Sequence, residues 1–170
     1  MKILKITTLS AFLLFVSTSF AQSETIVDVA VGNENFTTLV TAVKAADLVN
    51  TLSSEGPFTV FAPVNSAFEA LPAGTVESLL APESKSDLAG LLTYHVVAGK
   101  YMAGDVIAAI KGNSGSFPVK TVQGGTITLS LKGDKVMLKD EKGSMSTVIM
   151  ADVAASNGVI HAIDTVVMPN

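Results

Sequence analysis

The sequence has 170 residues, 48% of them hydrophobic, with 15 acidic and 11 basic side chains and a formal net charge of −4. It contains no cysteine, which excludes disulfides, thiol catalysis, thiolate metal sites and a lipid-modified cysteine. Every basic residue is lysine, and an acidic chain without arginine is a poor match for nucleic acid and is repelled by anionic membranes.

The chain opens on a short basic stretch, Met1 to Lys5, followed by a mostly apolar run from Ile6 to Val16. That run falls short of the roughly 20 residues a bilayer-spanning helix needs. Ser19-Phe20-Ala21 then places small residues where a leader peptidase cuts. The pattern predicts a signal peptide over residues 1–21, cleaved before Gln22, and one domain over residues 22–170. The expected location is therefore outside the cytoplasm, either secreted or periplasmic. Losing Lys2 and Lys5 leaves nine lysines against fifteen carboxylates, a net charge of −6. A domain of this size buries about 68–70% of its unfolded surface and needs no disulfide to hold a core. No apolar tail precedes Asn170, so neither a glycolipid anchor nor membrane insertion of the mature chain is expected.

Asn35 stands where a helix N-cap would, because Phe36, Leu39, Val40 and Val43 recur behind it on one helical face. Asn35-Phe36-Thr37 also matches a glycosylation sequon. Ser54 to Pro57 breaks the chain. Phe58 to Ala62 reads as a buried strand ended by Pro63, and Asn65 as the cap of a short helix carrying Ala67 and Phe68. After Pro72-Ala73-Gly74, a helix starts at Thr75 and stops at Pro82. The next begins at Ser84 or Ser86 and carries Leu88, Leu91 and Leu92, before Tyr94-His95-Val96-Val97 turns to strand. Asp105 is the expected cap of a helix closed by Gly112. Ser114 to Pro118 reads as a connection, with Phe117 tucked into the core.

Beyond Gly112 the texture is β. Thr126 to Leu131 alternates, Lys132 to Lys135 turns, and Val136 to Leu138 returns. Thr147 to Met150 and Val159 to Ile163 are further strands, the second preceded by the turn pair Asn157-Gly158. Helices first and strands later argue for an α+β fold around a mostly antiparallel or mixed sheet.

Three segments together resemble the fasciclin (FAS1) family. Gly56 to Phe68 is similar to its first homology block, with Val64 where threonine is commoner. Leu92-Thr93-Tyr94-His95-Val96-Val97 matches its Tyr-His motif, and Ser156 to Asp164 with Val166 to Pro169 resembles its second block. The resemblance covers about Thr25 to Pro169. It implies a compact β-sandwich or wedge with several short helices packed along one side, and a role in adhesion or matrix attachment. Phe58, Phe61, Asn65, Phe68, Tyr94, His95, Asn157, Gly158 and His161 are expected to serve that fold, with Gly158 supplying positive φ in its turn.

Tyr94 and His95, together with Asp152-Val153 at the position of the family's Asp-Ile pair, are the candidate partner contacts that the resemblance implies. For His95, a buried hydrogen-bonding role is the stronger expectation. Catalysis finds little support. His161 and Asp164 are three apart, so a strand would point them to opposite faces. Gly112 to Ser116 lacks the last glycine of a nucleophile elbow. Asp134, Asp140 and Glu141 lack calcium-loop spacing, and two lone histidines make no zinc site. No cofactor is expected. The expected function is non-catalytic binding to a surface or matrix protein or polysaccharide. A self-associating structural protein is the alternative, and a hydrolase a distant third.

Overall fold

The computed structural model describes residues 24–170, so the expected leader and its cleavage point lie outside the described residues. Seven strands form one sheet: β1 (Phe58–Pro63), β2 (Val96–Ala98), β3 (Ser116–Lys120), β4 (Thr126–Lys132), β5 (Lys135–Lys139), β6 (Met145–Ala155) and β7 (Gly158–Ile163). Their order is β2-β1-β7-β6-β5-β4-β3. Only β1 and β7 run parallel; the other neighbours are antiparallel. Val97 bridges Thr121 just past β3, and Val122 N–H donates to the Val96 carbonyl at 2.8 Å, so the sheet curls almost into a barrel.

The corner is made by β6. Its residues Met145 to Thr147 pair with β5, while Val148 to Ala155 pair with β7, with register shifts on either side of Met150. A strand that changes partner through a bulge folds one sheet into two facing halves. Sequence patterning ends this strand at Met150, five residues early, because the bulge breaks the period-two alternation.

Among the described residues, seven α-helices complete the fold: α1 (Ile26–Val31), α2 (Thr37–Ala45), α3 (Val49–Leu52), α4 (Asn65–Glu69), α5 (Thr75–Leu80), α6 (Lys85–Tyr94) and α7 (Ala103–Gly112). The first six cover one side of β1 and β7, burying Phe36, Leu39, Phe68 and Leu92 against Val60 and Ile160. Helix α7 closes the other core, where Val106 and Ile110 meet Phe61, Ile127, Leu129 and Leu138. β7 is buried at all six positions, and β1 at all but Phe58. Coverage on both faces is why they read as unbroken apolar runs.

Several expected caps are placed differently. Asn33, not Asn35, accepts from Asn35 N–H and caps the 3-10 turn at Glu34–Phe36; Asn35 itself is exposed. Asn65 does not cap its own helix. Its Oδ1 accepts from Thr38 N–H at 3.1 Å and its Nδ2 donates to the Glu34 carbonyl at 2.8 Å, so it caps α2 from across the fold. Asp105 sits inside α7 and reaches back to Met102 N–H at 3.3 Å. Tyr94 is the last residue of α6 rather than part of a strand. Ser116 to Pro118 belongs to β3, and Pro118 is tolerated because β3 is an outer strand. Phe117 is half-buried, edge-on to Tyr101 with ring centroids 6.2 Å apart.

Gly158 has no positive φ. It is needed because β1 passes too close for a side chain: a Cβ there would collide with the Phe58 carbonyl oxygen and lie 2.9 Å from Ile26 Cδ1. Gly90, inside α6, would meet nothing within 4 Å. Urea denaturation should therefore give opposite signs, with Gly158→Ala losing roughly 3 kcal/mol through backbone displacement and Gly90→Ala gaining about 0.5–1 kcal/mol.

Candidate functional site

Helix α6 buries Leu88, Leu91 and Leu92 and delivers Tyr94 and His95 to the junction of sheet and chain end. Tyr94 is fully buried; its hydroxyl donates to the Thr126 carbonyl at 3.0 Å and accepts from Glu141 N–H at 3.2 Å. Burial raises its pKa. His95 is 2% exposed. Its Nε2 accepts from Val167 N–H at 3.2 Å, which leaves the proton on Nδ1 to donate to the Leu91 carbonyl at 2.8 Å. Burial lowers its pKa to about 4. The His95 carbonyl also accepts from Phe61 N–H at 2.9 Å, tying α6 to β1.

Two carboxylates complete this clasp. Asp140, 4% exposed, accepts from Ser144 N–H at 2.7 Å and Met168 N–H at 3.0 Å, and Glu141 accepts from Thr126 N–H at 3.0 Å. Together the four side chains pin the β5–β6 loop and the segment after β7 to the end of α6. In the sequence, Asp140 and Glu141 look like ordinary turn carboxylates, and no local pattern marks their long-range partners.

His161 lies in β7, 2% exposed and stacked on Phe61 with centroids 5.8 Å apart. Its Nδ1 accepts from Asp152 N–H at 3.2 Å, so Nε2–H donates to the Tyr101 carbonyl at 2.7 Å. Asp152 holds a left-handed φ of 58° at the β6 bulge, and its Oδ1 accepts from Ala103 N–H at 2.7 Å, fastening the first residue of α7. Asp164 turns elsewhere and accepts from Thr147 N–H at 2.8 Å. Burial alone would raise its pKa, but hydrogen bonds from Thr147, Thr165 and Ser146 outweigh that and lower it. Each histidine thus has both ring nitrogens engaged by backbone groups. Among the described residues, no three His, Asp or Glu side chains converge as metal ligands.

The remaining motif residues are also bound up in the fold. Asn157 accepts from Ile26 N–H at 2.9 Å and donates to the carbonyls of Leu52 and Ser54 at 2.7 and 2.9 Å, which staples α1 and the end of α3 to the β6–β7 turn. Phe61 and Phe68 are buried, and Phe58 is half-buried. Of the four expected contact residues, Tyr94 and His95 lie inside, and only Asp152 and half-buried Val153 reach the surface.

Those two extend a longer exposed segment. Where β6 changes partner, Ile149 is 52% and Met150 44% exposed, and Ala151 and Asp152 follow in the open. A shallow groove of about 440 Å³ adjoins them, bounded by Asn35, Val64, Ser66 and Glu69. The bulge that makes the fold's corner also turns these apolar side chains outward. Sequence reasoning passed over Ile149 and Met150 because they read as an ordinary strand.

Comparison with known proteins agrees with this architecture. A family model described as the Fasciclin domain matches residues 34–169. Protein sll1483 of Synechocystis is 59% identical over 145 residues, covering 85% of this chain and 73% of that protein. Transforming growth factor-beta-induced protein ig-h3 of Sus scrofa is 39% identical over 85% of this chain, which spans 19% of that longer protein. The solved FAS1 domain pair of the insect cell adhesion molecule Fasciclin I superposes with a TM-score of 0.73 at 18% identity, over 84% of this chain and 50% of that one. At that identity the likeness establishes the fold.

The neutral His95 ring predicts a pH dependence. Its folded pKa of about 4 lies below the ordinary 6.5, so as pH falls the unfolded chain takes the proton first. The stability this ring contributes is full above about pH 6.5 and drains away towards pH 4, by about 3 kcal/mol. Chemical denaturation across that range should show the loss. His95→Gln should flatten it, while costing about 1–3 kcal/mol at pH 7 through an unpaired Val167 N–H or Leu91 carbonyl.

Proposed function

Since the chain belongs to the fasciclin domain family, we propose that it is a non-catalytic binding and adhesion module working outside the cytoplasm. The leader pattern of residues 1–21 supports export, and among the described residues no helix is long and apolar enough to cross a membrane. A fold-level relative is described as a cell adhesion molecule. Fold alone does not assign function, so the proposal rests on one local observation. The segment Ile149 to Val153 presents two large apolar side chains beside a fixed carboxylate, on a strand whose irregular pairing is held by His161 and α7. Exposed apolar clusters on a soluble domain mark contact surfaces.

In this reading the segment contacts a surface or matrix protein or polysaccharide. Asp152 and Val153 belong to it, His161 supports it from within, and Tyr94 and His95 serve the α6 clasp instead. A second copy of the chain is the alternative occupant, because the same apolar residues favour self-association.

Beads coated with the protein test this against the cells that produce it. Ile149→Ser/Met150→Ser should reduce attachment severalfold with an unchanged melting temperature, since both side chains are already exposed. Attachment equal to wild type would remove the segment from the function. Sedimentation of wild type at high concentration separates the alternative: a dimer abolished by the same double substitution would identify a second copy as the partner.

A further inference from the structure

Charge is segregated along this chain and in space. Residues 24–95 hold nine carboxylates and two lysines, whereas residues 96–170 hold six carboxylates and seven lysines. Four of those lysines, Lys120, Lys132, Lys135 and Lys139, lie in β3, β4 and β5, strands that contain no carboxylate. Side chains alternate across a strand. Val119, Ile127, Leu129, Val136 and Leu138 face the core under α7, so the alternate positions form the outer face, and all four lysines are exposed there.

Register fixes their layout. Lys132 sits opposite Lys135, Lys139 opposite Thr128, and Lys120 opposite Thr126. With about 3.3 Å per residue and about 4.8 Å between strands, Lys135 and Lys139 stand about 13 Å apart. Lys120 lies two strands, about 10 Å, to one side. Ser116, Thr126, Thr128 and Ser130 share the face with them. None of the four lysines is in an ion pair; the one pair among the described residues is Lys85–Asp47. The neighbouring carboxylates are Asp134 in the β4–β5 turn, buried Asp140, Glu141, which is engaged by Thr126 N–H and Asn170 N–H, and Asp164, which is engaged by Thr147 N–H beside Met137.

We infer that this outer face is a docking surface for a linear anionic polysaccharide of the polyuronate class. Its carboxylates meet the lysine ammonium groups, and its hydroxyls meet the serine and threonine side chains. The chemistry favours this polyanion over others. The face has no arginine and no aromatic side chain for base stacking, which single-stranded nucleic acid uses. Its apolar members are Pro118 and buried Met137, with one exposed methionine, Met145, beside Lys139 at its edge, which offers little to insert into a lipid surface. The inference rests on the binding-module reading above but uses a different face.

Affinity electrophoresis of the purified protein through gels containing alginate tests it, with dextran as the neutral control. The expected result is retardation by alginate alone, weakened roughly tenfold between low and physiological salt as the ammonium–carboxylate attraction is screened. A quadruple Lys→Gln variant at 120, 132, 135 and 139 should lose at least roughly tenfold in affinity with unchanged circular dichroism and melting temperature, because exposed lysines carry little stability. Ile149→Ser/Met150→Ser should bind alginate like wild type. Absence of retardation at low salt, equal binding by the quadruple variant, or tighter binding to anionic vesicles or single-stranded DNA would overturn the inference while leaving the β6 reading standing. Alginate binding lost only in the β6 double variant would overturn it as well, moving the polysaccharide to that segment.

Discussion

The fold depends on a neutral histidine at the end of a helix. His95 terminates α6, gives its carbonyl to β1, one ring nitrogen to the helix and the other to the last segment of the described chain. Its ring is almost wholly buried. Burying a polar ring without partners costs several kcal/mol, so the site is sound only while both nitrogens are matched and the ring is uncharged. Tyr94 and Asp140 extend the same logic to the β5–β6 hairpin, where each buried polar atom meets a backbone group. The helical layer, the sheet and the chain end are thereby locked together with no disulfide.

This division of labour separates structure from contact. The motif residues that mark the family are taken up by the fold: buried Tyr94, His95, Gly158 and His161 and half-buried Asn157 hold strands, turns and helix ends in register. What is left for a partner is surface whose character comes from geometry. The β6 bulge turns Ile149 and Met150 outward, and the alternation of β3 to β5 gathers four lysines on one side of an otherwise acidic molecule. Asp152 joins the two halves, because the left-handed residue that makes the bulge also caps α7.

Much of the core was legible because its periods are regular. The apolar runs of β1 and β7, the alternation of β4 and the stripe of α6 each translate directly into buried positions. Caps were misplaced because their partners are distant in sequence: Asn65 serves α2, and Asp152 serves α7 across 49 residues. Gly158 was recognised, but a turn dipeptide suggests positive φ and cannot reveal that another strand passes through the space of its missing Cβ. The candidate surfaces were the least legible. A bulge leaves no period to read, and the lysine face exists only once three strands are in register.

The protonation state of His95 tests the account most directly. Nitrogen-15 NMR of the histidine rings across pH should show His95 as the neutral Nδ1–H tautomer, with no titration until the pH nears 4 and unfolding begins. A His95 ring that titrates freely near pH 6.5 in the folded protein would mean that it is solvated, and the clasp described above would not exist.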